Sequence, residues 1–346
     1  MRMLCVPSTK HGYVMRLNSA LKARGVEVRE APMPYLRWPR NFIRFWMKTM
    51  SKHDVWHLHW NVFDSLVMAR RFLRKKTPKV WTVHNITPHD PVFKDDLSVT
   101  HLYLDSVDVA VWHSQRSIGD AKRAFAVKGL SENWKARDEI IPCMNFNGAF
   151  DDTISEREAR IRCGIKDDEF VVGHYAPTHP YKGTEDFLRL LNIDTARTVR
   201  FCVFGECRDS ALKAAIQEAV ARRPDTLLHL GFIDNADMQY WFKACDVVVQ
   251  PYRDITTSGS IYFPIAFGKP VIAPPLGNIP DVIQDRVTGW LASNPEEVWR
   301  CIQDAMANRQ ATVAMGVKAH QFVEDTANID KIASHYIATY ERAMSG

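Results

Sequence analysis

Two short segments of this sequence carry the residue types that grip a diphosphate. Thr257-Ser258-Gly259-Ser260 lies between an apolar run and a helix-like one. A small-residue loop that opens a helix presents free backbone N–H groups and the positive end of the helix dipole. Gly259 lets a phosphate approach the main chain, and Ser258 and Ser260 add hydroxyls beside Thr257. Ser258 can equally be a plain helix cap, so the loop alone does not establish a ligand. A second segment, His174-Tyr-Ala-Pro-Thr-His-Pro-Tyr-Lys-Gly183, places a cation, Lys182, before Gly183. A lysine serves such a group as a point charge, and the glycine permits close approach.

Histidines form the second set. His11, His59, His84 and His89 each follow an apolar run, and Asp90 adjoins His89. Imidazole titrates near neutral pH, and a neighbouring carboxylate orients it and raises its basicity. His11, His89 and Asp90 are therefore candidates to take a proton from a hydroxyl. His59, His84 and Asn85 are candidates to bind the molecule that carries it, with packing into turns as the competing role. His57 and His59 alternate along one run, so both face the same side of a strand. His-x-His can hold a metal, but no third ligand stands out, and no metal site is expected.

These residues sit at the ends of elements that repeat along the chain. Met3–Val6, Val26–Val28, Asp54–His59, Lys79–His84, Val107–His113 and Ile140–Pro142 read as strands, with helices over Tyr13–Arg24 and Ser65–Lys75. The pattern restarts with strands at Phe170–His174, Val199–Phe204, Leu227–Leu230, Val247–Gln250 and Lys269–Ala273. Helices at Thr184–Leu191, Ser210–Arg222, Asn235–Ala244 and Ser260–Phe267 alternate with them. Such alternation argues for βαβ units, parallel sheets and ligands held beyond the carboxyl ends of the strands. The expectation is an α/β chain of two Rossmann-like domains, 1–150 and 151–327, with a closing helix over 328–346.

Composition narrows the class. The 346 residues are 46% hydrophobic and 25% charged, which excludes a disordered or fibrous chain. No apolar stretch approaches the roughly 20 residues of a membrane span, and the N-terminus lacks signal-peptide features. Seven scattered cysteines without a CxxC pair argue against a zinc ribbon or a disulfide framework and for a reducing, cytoplasmic setting. Residues 1–150 hold 24 Lys and Arg against 13 Asp and Glu, net +11, and the remainder 21 against 27, net −6. A basic half suits nucleic acid, an anionic membrane or an anionic substrate. No nucleic-acid-binding module is present, so nucleic acid is set aside.

Residues 165–300 taken together resemble the donor domain of GT-B glycosyltransferases, especially bacterial relatives of family 4. The residues that carry this are Tyr181-Lys182-Gly183, Asp246-Val-Val-Val-Gln-Pro-Tyr-Arg253, Ser258-Gly259-Ser260, Ala266-Phe-Gly-Lys-Pro-Val-Ile-Ala273, Gly277-Asn-Ile-Pro-Asp-Val-Ile283 and Thr288-Gly289-Trp290. In the first half, Asp54-Val-Trp-His-Leu-His-Trp60 and Trp81-Thr-Val-His-Asn-Ile-Thr-Pro-His89 are similar to bacterial exopolysaccharide transferases, including those that add mannose to lipid-linked oligosaccharides. The resemblance implies a GT-B fold, two facing Rossmann-like domains with a deep cleft and a last helix that crosses back to the first. It implies a nucleotide-diphospho-sugar as co-substrate, with GDP-mannose favoured, and no cofactor. It implies a lipid-linked oligosaccharide or polysaccharide acceptor. Donor contacts would come from His179, Lys182, Gly183, Phe232, Tyr252, Arg253, Thr257, Ser258, Gly259 and Ser260.

There are departures from the family pattern. The glutamate pair of family 4 falls at Ile255 and Phe263, its arginine before Lys-Gly falls at His179, and no Asp-x-Asp occurs. A sugar-nucleotide epimerase of the same fold and a degenerate sugar-binding protein are the rival readings.

One further segment, Leu36–Met50, is basic and aromatic. Arg37, Arg40, Arg44 and Lys48 recur at helical spacing beside Phe42 and Trp46. Helices of that kind lie in the interface of an anionic membrane, so peripheral attachment at the inner face of the cytoplasmic membrane is expected. An ordinary surface helix is the alternative.

Overall fold

The computed structural model describes residues 1–35, 38–88, 93–176 and 178–345. The chain forms two compact units, Met1–Met144 with Ala327–Gly346, and Asn145–Thr326. The division falls after Met144 rather than at 150, and the chain rejoins the first unit at Ala327.

The first unit runs β1 (Arg2–Val6), α1 (Gly12–Ala23), β2 (Glu27–Glu30), α2 (Pro39–Met50), β3 (Val55–His59), α3 (Leu66–Leu73), β4 (Lys79–Thr82), α4 (Asp96–Leu104), β5 (Val109–Trp112), α5 (Gln115–Lys128) and β6 (Arg137–Ile140). Its six strands pair in parallel in the order β2-β1-β3-β4-β5-β6. Strand side chains alternate between faces. Leu4, Val6, Trp56, Leu58, Trp81, Ala110 and Trp112 enter one apolar core with Phe45 and Phe72 of α2 and α3. The expected strand at Ile140–Pro142 lies three residues earlier. β6 is a largely exposed edge strand, so it carries Arg137, Asp138 and Glu139 rather than an apolar run.

The second unit runs α6 (Glu156–Arg162), β7 (Val171–Tyr175), α7 (Thr184–Ile193), β8 (Arg200–Phe204), α8 (Ser210–Arg222), β9 (Leu227–His229), α9 (Met238–Ala244), β10 (Val247–Val249), α10 (Tyr262–Ala266), β11 (Val271–Ala273), α11 (Ile279–Val282), β12 (Gly289–Leu291), α12 (Pro295–Ala307) and α13 (Arg309–Ala327). Its parallel order is β12-β11-β10-β7-β8-β9. Separate apolar clusters cover the two faces of this sheet, one with α7, α8 and α12, the other with α6 and α9. Ser155 and Glu158 close a capping box at α6, and Asp209 and Asn294 cap α8 and α12. The last helix, α14 (Ile329–Ser345), packs in the first unit against α1, β3 and β4.

Candidate functional site

In the second unit the residues of interest gather beyond β7, β10 and β11. Lys182 closes a turn, Pro180–Lys182, and is 7% exposed. Its Nζ donates to Ser260 Oγ at 2.8 Å and lies 4.9 Å from the centre of the Tyr252 ring. Tyr252 OH in turn bonds Ser258 Oγ at 2.7 Å and Ser260 Oγ at 2.9 Å. Among the described residues no carboxylate pairs with Lys182. A buried ammonium held only by neutral groups is costly, and an arriving anion relieves that cost. The cation also helps hold His174 neutral: burial, with Lys182 nearby, lowers its pKa to about 4.

Glycine geometry brings the segments together. Gly183 has φ +70°, and a Cβ there would lie 1.7 Å from Pro251 O. Only glycine admits both that dihedral and that approach. Gly277, φ +51°, presses in the same way on the carbonyls of Ile255 and Thr256. Beside it, Asn278 Oδ1 accepts from Ser258 N–H at 2.9 Å, which ties the serine loop to the loop after β11. The sequence reading did not single out Asn278. The available signal was the Gly277-Asn278 pair in the loop that follows an apolar strand. Asn278 Nδ2 and Thr257 Oγ1 are buried without partners among the described residues.

Three expectations are corrected here. The helix expected from Ser260 begins at Tyr262 and has 5 residues, and Gly268, with φ +68°, lies just past its end. No helix dipole of useful length therefore supports the serine loop. Arg253 is not free for a phosphate. Its guanidinium binds Asp186 and Glu185, both at 2.6 Å, and these carboxylates raise its pKa above the usual arginine range. Phe232 is 75% exposed on the loop after the edge strand β9. It lines a hollow of about 360 Å³ with His229, Tyr240 and Trp241, and Lys182, Tyr252, Ser258 and Ser260 are not among the residues that line it. His179 is half-buried and stacks on Tyr181, with ring centres 5.6 Å apart.

In the first unit, the face of the sheet opposite the apolar core carries a ladder of polar groups: His57 and His59 of β3, Thr82 and His84 at β4, and His113 after β5. His57 bonds Thr82 Oγ1 at 2.8 Å and Tyr340 OH at 2.7 Å. Thr82 bonds Tyr336 OH, and Tyr336 OH bonds Tyr13 OH, each at 2.9 Å. The tyrosines come from α1 and α14, so the two helices cover the ladder. His59 Nδ1 meets His84 Nε2 at 3.1 Å. Burial keeps all four rings neutral, lowering the pKa of His57 to about 3 and of His113 to about 4, and those of His59 and His84 well below the usual value. No set of three potential ligands able to hold a metal occurs among the described residues.

This burial revises the expected acceptor contacts. His59 is fully buried and cannot touch a substrate from there, whereas His84 reaches the surface at 9% exposure and Asn85 is half-buried. His11 caps the start of α1 and is exposed at its outer edge. Its ring lies edge-on to Trp60 at 5.0 Å, and crowding lowers its pKa. Trp60, at the end of β3, has φ +59°, a left-handed backbone that costs a bulky residue about 1–3 kcal/mol. His89 and Asp90 lie outside the described residues, as does Arg37.

The basic segment forms α2, a helix beginning at Pro39. Phe45 is fully buried, Trp46 packs on the core, and Phe42 is half-buried, so none of these aromatics faces out. The exposed apolar stripe is Ile43 at 58%, Met47 at 65% and Met50 at 82%, beside the exposed Arg40, Arg44 and Lys48. No helix of the described residues is long and apolar enough to cross a membrane.

Residues 169–308 match the family described as glycosyl transferases group 1. Two curated relatives from Xanthomonas campestris pv. campestris are named GDP-mannose:glycolipid 4-beta-D-mannosyltransferase. Each is 20% identical, over 70% and 65% of this chain and 67% and 62% of their own length. The fold matches a sucrose-phosphate synthase from Thermosynechococcus elongatus with TM-score 0.80, 16% identity and 99% of each chain covered. It also matches Anabaena HepE in complex with UDP and glucose, with TM-score 0.76, 17% identity and 99% of each chain covered.

Proposed function

Since the chain is a glycosyltransferase with the GT-B fold, we propose that it transfers mannose from GDP-mannose to a lipid-linked oligosaccharide at the cytoplasmic face of a membrane. The observation that carries the donor site is the buried Lys182, which has hydroxyl partners and no carboxylate. Its charge, with the hydroxyls of Ser258 and Ser260, meets the diphosphate as it leaves. The exposed, neutral His11 takes the proton of the acceptor hydroxyl as that oxygen attacks the anomeric carbon. The two Xanthomonas relatives, named for a β-mannosyl product, support mannose and a glycolipid acceptor. A β-glycoside forms with inversion from an α-linked nucleotide sugar, and inversion calls for such a base.

Thermal stabilisation by free nucleotides tests the donor. GDP at about 100 times its Kd should stabilise the protein by about 2.7 kcal/mol, more than UDP or ADP at equal concentration. Stabilisation by UDP alone would overturn the guanine assignment. Transfer from GDP-mannose should continue in excess EDTA. Activity that disappears in chelator and returns with Mg2+ would show that Lys182 does not suffice for the diphosphate.

The membrane part of the reading rests on the α2 stripe. Replacing Arg40, Arg44 and Lys48 by Gln should cut co-sedimentation with anionic vesicles, most strongly at low salt. Replacing Ile43 and Met47 by Ser should cut it at every salt concentration. Equal pelleting of all three proteins would make α2 an ordinary packing helix.

A further inference from the structure

We infer that Trp60 is a positioning residue for His11: its left-handed backbone lays the indole between the His84 ring and the His11 ring and so fixes the imidazole at the carboxyl end of β3. The inference rests on the reading of His11 as the base that receives the acceptor proton. Three observations carry it. Four non-glycine residues of the described chain have positive φ, Trp60, Ala176, Arg197 and Arg286. Trp60 is the one of them that carries a large aromatic ring, for which this backbone is most strained. The strain is held in place from both sides of the residue. The Trp81 indole N–H donates to Trp60 O at 3.1 Å, and the Trp60 ring stacks on His84 with centres 4.7 Å apart and planes 27° apart. Finally, the His11 ring stands edge-on to that indole at 5.0 Å and 76°. The loop before α1 otherwise holds His11 only through its backbone, whose N–H donates to Thr9 Oγ1 at 3.2 Å.

The contact has an electrostatic consequence. The indole takes water from one side of the imidazole, which disfavours the charged form. The titratable groups that face His11 are His59 of β3 and His84 after β4; both are neutral, and no carboxylate among the described residues faces it to reverse the effect. His11 is therefore kept unprotonated at neutral pH and fixed in direction.

The test is an NMR titration of the His11 imidazole in the full chain, with no substrate needed. Glycine accepts φ +59° without strain, so Trp60→Gly removes the ring while leaving the backbone its conformation, and Trp60→Phe keeps a ring. In Trp60→Gly the His11 titration should move up toward the ordinary histidine value; in Trp60→Phe it should stay near that of the wild type. In the GDP-mannose transfer assay, the acid limb of the kcat profile should move up with it. At pH 6, kcat of Trp60→Gly should fall about tenfold with acceptor KM changed less than about threefold, as for a loss of orientation rather than of binding. An unchanged His11 titration in a folded Trp60→Gly protein would overturn the inference. Full activity in His11→Gln would instead overturn the base assignment, while the titration would still decide whether Trp60 fixes the ring.

Discussion

Replacing Lys182 by Met should abolish most nucleotide-diphosphate binding while leaving the empty protein as stable as before, or slightly more so. The two signs differ because the ammonium is buried and, among the described residues, meets Ser260 Oγ and the rings of Tyr252 and Tyr181 but no carboxylate. Its unpaired charge costs the empty fold energy, so a methionine of similar length removes that cost and keeps the packing. The bound state loses a charge-assisted contact in a site with little water, worth about 2–3 kcal/mol, or roughly 30- to 150-fold in Kd. Calorimetry with GDP and thermal melts of the empty protein check both halves. Unchanged GDP affinity would remove Lys182 from the donor site. A large fall in Tm of the empty protein would mean instead that the lysine holds the loop together structurally.

The second large effect is expected at Gly183. An alanine there would place Cβ 1.7 Å from Pro251 O at φ +70°. The main chain after β10 would have to move, and with it Tyr252, which positions both serine hydroxyls. The expected loss is about 3 kcal/mol or more of stability, a fall in Tm of roughly 6–12 °C, together with loss of GDP binding. Gly259→Ala makes the contrast. Its φ is not positive, and the nearest atom to a new Cβ is 4.0 Å away on Phe146, so the fold should be unaffected. If a phosphate approaches that main chain, Gly259→Ala weakens GDP alone. Equal melting of Gly183→Ala and wild type would contradict the geometry.

The strands were legible where both faces of the sheet are covered. Val247–Val249, Val271–Ala273 and Val80-Trp81 are apolar because they are enclosed. β6 was expected three residues too late, at Ile140–Pro142, because an edge strand is free to be charged. The Lys182–Ser260 bond spans 78 positions, and only the order of motifs pointed to it. Arg253 shows the limit of such reading. It lies in the expected place, but Glu185 and Asp186 look in sequence like ordinary acidic residues of a helix's first turn and in space neutralise it. The alternation of His57 and His59 correctly placed both on one face. That the face is sealed by Tyr336 and Tyr340, more than 250 positions later, no local pattern carries. The exposed side of α2 was likewise ambiguous, since a helix rich in aromatics around its circumference does not say which ones the core takes.

The origin of those two tyrosines also bears on how the chain is made. The first unit needs α14, which leaves the ribosome only after the whole second unit, whereas the second unit is one unbroken stretch, Asn145–Thr326. At about 5–20 residues per second, roughly ten to forty seconds separate the emergence of Met144 from that of α14. During that interval His57 and Thr82 lack the hydroxyls of Tyr340 and Tyr336, and the sheet face they belong to stands open. The second unit can complete its core within the same interval. Vectorial synthesis thus reverses the usual order for these two units: the one whose strands come earlier in the sequence closes only after the later one has been made.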